Sequence, residues 1–268
     1  MSSAPILDNK DAGAPSVFEP AALLREARRQ KGLAATDVPP VCVLDPDGDI
    51  VRYLKGCGEA RPVETWPCYH TVLYDFALAG RGIGIVGCAV GAPFAVLVAE
   101  ELFACGCELL ISVTSAGQIV SAGPPPYFVI IDRALRDEGT SYHYAAPDVF
   151  AEANPNLIDA AKRALHEAGV SAHVGPSWTT DAPFRETAEA IAAARAKGIL
   201  AVEMEAAALY TFARERGHRV LCLAHVTNTM GLSGQDFEKG EAQGAGDALR
   251  VLEALAEVLS DRLFRRQG

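Results

Sequence analysis

Gly198-Ile199-Leu200-Ala201-Val202-Glu203-Met204-Glu205-Ala206-Ala207-Ala208-Leu209-Tyr210-Thr211-Phe212-Ala213-Arg214 is the stretch whose reading decides the fold. The apolar run 199–202 has the length of a buried strand. Residues 206–213 are mostly helix formers. Two carboxylates, Glu203 and Glu205, stand where strand becomes helix, with Met204 between them. Charges at such a joint cost several kcal/mol in general unless they are paired or hydrogen-bonded. On residue type alone they also suit a solvated helix start, where the dipole favours acids.

Outward from this joint, strands and helices alternate from residue 41 to the end. The pattern predicts one α/β domain with a mixed, largely parallel sheet flanked by helices. Strands are expected at 41–44, 82–87, 108–113, 127–132 and 219–227. Helices are expected at 94–105, 155–168 and 247–264, the last burying Leu249, Leu252, Ala256, Leu259 and Leu263. Residues 240–246 read as a flexible hinge. The expected division is residues 1–38, an N-terminal extension with one helix, and residues 39–268, the domain proper. Within the extension, residues 1–18 read as mobile. Pro20 opens a helical segment that Gly32 closes. Asp45-Pro-Asp-Gly-Asp49 is a turn signal.

Of 268 residues, 50% are hydrophobic, enough for a sizeable core, and the net charge is −10. That balance argues against nucleic-acid and anionic-membrane partners, though not against a local pocket for a small anion. No apolar run is long enough for a membrane span, and the N-terminus lacks a signal-peptide core. A cytoplasmic protein is expected. The seven cysteines are scattered and read as buried free thiols. Cys105-Gly-Cys107 lacks the two-residue spacer of common zinc and redox sites.

Val202-Glu-Met-Glu-Ala-Ala-Ala208 resembles the signature of the nucleoside phosphorylase family, which includes uridine phosphorylase, bacterial purine nucleoside phosphorylase and related nucleosidases. The resemblance spans roughly residues 40–265. It implies that Met204 and Glu205 bind ribose, Glu205 through the 2′ and 3′ hydroxyls. A carboxylate can accept both bonds of a vicinal diol, and its charge opposes an oxocarbenium-like sugar.

The family's other motifs carry over in part. Cys88-Ala-Val-Gly-Ala-Pro93 resembles its glycine-rich turn before a helix, so Gly91 is expected at phosphate. Thr114-Ser-Ala-Gly117 resembles its phosphate segment. Ser115 keeps a hydroxyl there, while Ser112 replaces the arginine that grips phosphate and Thr114 replaces a glycine. After the first strand the family has Gly-Asp-Pro-x-Arg; only a loose echo survives, without its arginine. Arg61-Pro-Val-Glu-Thr-Trp66 resembles a segment whose arginine crosses a dimer interface to the neighbour's phosphate; from the residues alone Arg61 reads rather as a surface arginine beside a loop tryptophan.

Arg136-Asp-Glu-Gly-Thr-Ser-Tyr-His-Tyr144 resembles a loop of the uridine-phosphorylase-like branch. The resemblance brings His143 to the sugar's 5′ end or to the active-site mouth; from the residues alone a histidine between two tyrosines reads rather as part of a packed polar cluster. Trp178, Asp181, Arg185 and Asn228 would border the base. Arg185 could instead pair with Glu186 or Glu189, and Asn228 could cap its loop. The resemblance thus implies phosphorolysis of a nucleoside to free base and ribose 1-phosphate, no metal or organic cofactor, and a homo-oligomer, either a dimer or a hexamer built from dimers. A nucleosidase using water and a nucleoside-binding protein without turnover remain the alternatives.

Overall fold

The computed structural model describes residues 5–229 and 239–264, with side chains described as far as residue 256. The elements in chain order are α1 (Pro20–Lys31), β1 (Val41–Asp45), α2 (Asp49–Gly56), β2 (Arg61–Pro62), β3 (Leu73–Leu78), β4 (Arg81–Gly87), α3 (Ala92–Ala104), β5 (Leu109–Gln118), β6 (Tyr127–Asp137), β7 (Phe150–Glu152), α4 (Pro155–Glu167), β8 (Ala172–Thr180), α5 (Ala188–Ala196), β9 (Ala201–Glu203), α6 (Ala206–Arg216), β10 (Val220–Thr229) and α7 (Ala245–Phe264).

All ten strands join one mixed sheet, as the alternation of elements requires. Parallel ladders join β4, β1, β5 and β10, and a second set joins β6, β8 and β9. Strand β5 is the hub. Its start pairs with β1, its length with β10, and its end with β9. Because β10 also pairs with β6, the path β5–β10–β6–β8–β9 returns to β5 and closes on itself. Strands β1, β4, β3 and β2 extend from it as an open arm.

Strand alternation sends side chains to two apolar layers. Cys42 and Leu44 of β1 join the layer under α1, α3 and α6. Val41 and Val43 join the layer under α2, α4 and α7. Tyr210 pins α6 to the sheet: its hydroxyl donates to the Ile131 carbonyl at 2.6 Å and accepts from the Cys222 N–H at 3.0 Å.

Several expectations change in detail. Strands β5, β6 and β10 run further than their apolar cores, because sheet pairing carries polar residues along. Strand β3 and helix α2 lacked a clear signal. Helix α2 forms because Asp45 caps it, accepting the N–H groups of Gly48 and Val51 at 3.1 and 2.9 Å. Gly48 is needed there. Its φ is +75°, and a Cβ would lie 2.6 Å from Cys88 Sγ. Residues 240–246 are a packed corner rather than a hinge: a 3-10 turn (Glu241–Gly244) runs into α7, and a Cβ on Gly244 would lie 2.3 Å from His225. The packing expected of Leu259 and Leu263 lies outside the described residues.

In the extension, α1 is closed by Gly32 in the left-handed conformation; Leu24 is buried in the α3 layer, and Ala27 is buried too. Of the free cysteines, Cys57 and Cys88 are exposed, against expectation; the others are buried. Among the described residues no helix is long and apolar enough to cross a membrane.

Candidate active site at the start of helix α6

Strand β9 lies beside β8 with Thr179 opposite Glu203. Alternation along β8 turns Ser177 and Thr179 to one face. Both hydroxyls donate to Glu203 Oε1, at 3.0 and 2.5 Å. Glu203 Oε2 accepts the backbone N–H groups of Glu205 and Ala206, both at 2.7 Å. Glu203 therefore satisfies N–H groups that the first turn of α6 cannot satisfy itself, and its charge meets the positive end of the helix. Its role is to build the joint.

Glu205 is different. It is 1% exposed. Its Oε1 accepts the Gly91 N–H at 2.7 Å, which ties the start of α3 to the start of α6. Its Oε2 is buried and has no hydrogen-bond partner among the described residues. A buried carboxylate oxygen without a donor is costly, and a ligand's donor could satisfy it. Burial, and then the nearby Glu203 charge, push the Glu205 carboxyl up to about 8, against the Gly91 hydrogen bond and the nearby Thr114 hydroxyl.

Burial raises Glu203 too. Its four donors favour its charged form, however, so the proton shared by the pair resides on Glu205. Glu203→Gln removes the like charge. The Glu205 titration, read from its carboxyl carbon by NMR, should then move from about 8 toward the ordinary carboxylate range by about a unit or more. An unmoved titration would show that burial alone holds it.

Around this pair the structure gathers some of the expected residues. Met204 sits half-buried between the glutamates. Asn228 pairs with Gly117 just past a register shift in β10, and Gly117 pairs with Val202, which sets Asn228 beside the joint. Gly91 is present, but its N–H is given to Glu205 rather than left for an anion. Ser115 is also committed: its N–H and hydroxyl donate to the two oxygens of Asp47, at 2.7 and 2.8 Å. Ser112 is buried, and its hydroxyl has no partner among the described residues.

Other expected residues lie elsewhere. Trp178 is in the core with Ile119, Ala194, Ile199 and Val202, and its indole N–H donates to Asp137. Alternation turns it away from Ser177 and Thr179, so it does not border the Glu205 face. His143 and Asp181 line a separate cavity of about 750 Å³, between the N-terminal segment and α3, which Glu205 does not line. There His143 Nδ1 meets Lys10 Nζ at 2.9 Å and Asp181 accepts the Gly139 N–H at 2.8 Å. Arg185 is exposed on a short 3-10 turn (Pro183–Arg185). Arg61 is exposed on β2, with β3, β4 and β1 between it and β5.

Sequence reasoning passed over Asp47, Ser177, Thr179 and Lys239. The signal for Ser177 and Thr179 was present: polar residues two apart on one face of a buried strand need an acceptor. Asp47 and Lys239 had none, because they meet from opposite ends of the domain's sequence.

A family model described as the phosphorylase superfamily matches residues 40–257. The chain is 30% identical over 239 residues to the uridine phosphorylase of Thermococcus kodakarensis, covering 76% of this chain and 83% of the relative. It is 27% identical over 192 residues to a DeoD-type purine nucleoside phosphorylase of Roseobacter denitrificans, covering 69% and 77%. Among solved structures, uridine phosphorylase from Vibrio fischeri superposes with a TM-score of 0.70 at 24% identity, covering 84% of this chain and 92% of that one. That likeness supports the shared fold.

Proposed function

The chain belongs to the phosphorylase superfamily, and on that premise we propose that it cleaves the N-ribosidic bond of a nucleoside, passing the ribosyl group to inorganic phosphate and releasing a free base. The observation that carries this reading is Glu205, a fully buried carboxyl group with one oxygen fixed by Gly91 and the other without a donor among the described residues. The 2′ and 3′ hydroxyls of ribose supply the donors that this oxygen lacks. The positive charge that develops on the sugar ring favours the ionised carboxylate, so binding and reaction both work against the push toward about 8. Met204 lies against the sugar, and Asn228 supplies an amide beside the base. Uridine is the first substrate to try, because the relative at 30% identity is a uridine phosphorylase.

One observation favours a second reading, hydrolysis. Asp47 already holds both donors of Ser115, and no arginine stands at position 112. The two readings separate in one experiment. Purified protein is incubated with a panel of nucleosides, with and without phosphate, and both base and sugar products are identified. Phosphorolysis requires ribose 1-phosphate and base release that depends on phosphate. Free ribose at the same rate without phosphate overturns it in favour of water, and no release from any nucleoside overturns both.

Arg61 enters the reaction only through a second copy, because its own chain keeps it on the exposed edge strand β2. A homodimer, alone or as the unit of a hexamer, is the proposed assembly, with a self-complementary interface. A fully active monomer by light scattering would remove Arg61 from the site.

A further inference from the structure

The Asp47 carboxylate sits on Ser115 as an anion sits in a receptor. Each oxygen takes one donor, the backbone N–H at 2.7 Å and the hydroxyl at 2.8 Å. The Lys239 ammonium lies 3.6 Å from the same carboxylate and is paired with Asp49. Lys239 is mostly buried, with 11% of its side chain exposed, and it arrives from the turn before α7. A backbone N–H, a hydroxyl and an ammonium converging on one point form a donor set for a tetrahedral oxyanion. Arg52 does not join it. Its side chain is 62% exposed and is held by Asp49 and the Asp47 carbonyl.

The space between Asp45, Asp47, Asp49, Ser115, His225 and Lys239 is about 20 Å³. That holds about one water and no phosphate. Asp47, however, belongs to the turn between β1 and α2, and 28% of its side chain is exposed. Rotation of Asp47 outward frees the Ser115 donors and the room together. Asp47 is also close enough that its charge raises Glu205, so an anion in its place lies at the same reaction centre.

We propose that Lys239 and Ser115 form the phosphate subsite of this chain, and that Asp47 is its resident occupant, which phosphate must displace. This rests on the phosphorolysis reading and supplies what that reading lacks, a cation in place of the arginine absent at Ser112. Phosphate binding is thereby an exchange of one anion for another and is weaker than the donor set alone would allow.

The test measures inorganic phosphate binding by calorimetry in the absence of nucleoside, so it stands or falls apart from cleavage activity. Asp47→Ala empties the cradle, and Asp47→Asn keeps its size while removing the charge. Phosphate should bind Asp47→Ala about tenfold or more tightly than the wild type, with Asp47→Asn in the same direction. Adding Lys239→Met to Asp47→Ala should cancel the gain, while circular dichroism confirms that all the variants are folded. Equal phosphate affinity in wild type and Asp47→Ala overturns the exchange. An unchanged gain in the double variant removes Lys239. Base release that needs no phosphate and disappears in Asp47→Ala also overturns the proposal, because Asp47 then serves the reaction itself.

Discussion

Glu205→Gln should lower turnover on the best nucleoside by about 10²-fold or more, by the scale of losing one aligned electrostatic stabiliser in a closed site. The amide keeps the shape and an acceptor for the Gly91 N–H, but it lacks the charge that, on the proposed reading, opposes an oxocarbenium-like sugar. Stability should change in the opposite direction. The Glu205 carboxyl is raised to about 8 from an ordinary 4.5. The native state therefore holds a proton that the unfolded chain has released between those values. Stability falls as pH rises through that window and levels off above about 8. Glutamine removes the group, so the variant should exceed the wild type by roughly 2–4 kcal/mol at pH 9 and match it most closely near pH 4. Denaturant melts at the two pH values, together with turnover, decide the matter. Wild-type turnover would remove Glu205 from the site, and a pH-independent stability difference would show that its charge is not buried in the folded state.

Thr179→Val is expected to have the largest effect on stability away from Glu205. The Thr179 hydroxyl donates to Glu203 and accepts the Ala207 N–H at 2.9 Å, and the residue is fully buried. Valine has the same shape, so no cavity forms. The change leaves Ala207 without its acceptor and Glu203 without one donor. Two buried groups left unmatched at about 1–3 kcal/mol each give a loss of roughly 2–5 kcal/mol. Glu203 then holds the first turn of α6 less firmly, and turnover should fall through the position of Glu205. Thr179→Ser keeps the hydroxyl and should lose much less. If the valine and serine variants melt together, the hydroxyl bridge contributes nothing and the joint is held by packing.

The fold was largely legible in order. The strand that ends at Glu203 and the helix that follows stand out by apolar run and by alanine content, and α1 is announced by Pro20 and Gly32. Strand β3 and helix α2 were not legible. Helix α2 depends on Asp45 folding back as its cap, and β3 depends on β4 as its partner. Trp178 shows the limit at a single residue. Its position in a base-recognition segment suggested a site wall, yet strand pleating sends it to the core and gives its neighbours Ser177 and Thr179 to Glu203.

By itself the sequence determined the class of the fold and the joint at residues 198–214 with its two acids, because these are local; only the resemblance to the nucleoside phosphorylases singled out Glu205. Hydrophobic period, helix propensity and two acids in an apolar setting are all read within a few turns of chain. The tertiary structure alone decided which glutamate is structural and which is free. That depended on Ser177, Thr179 and Gly91 converging from β8 and from the start of α3. It alone decided that Asp47 covers Ser115 and that Lys239 stands behind it. Hydrogen bonds and ion pairs act over about 3–4 Å of space whatever the separation along the chain, so no pattern in one dimension encodes them.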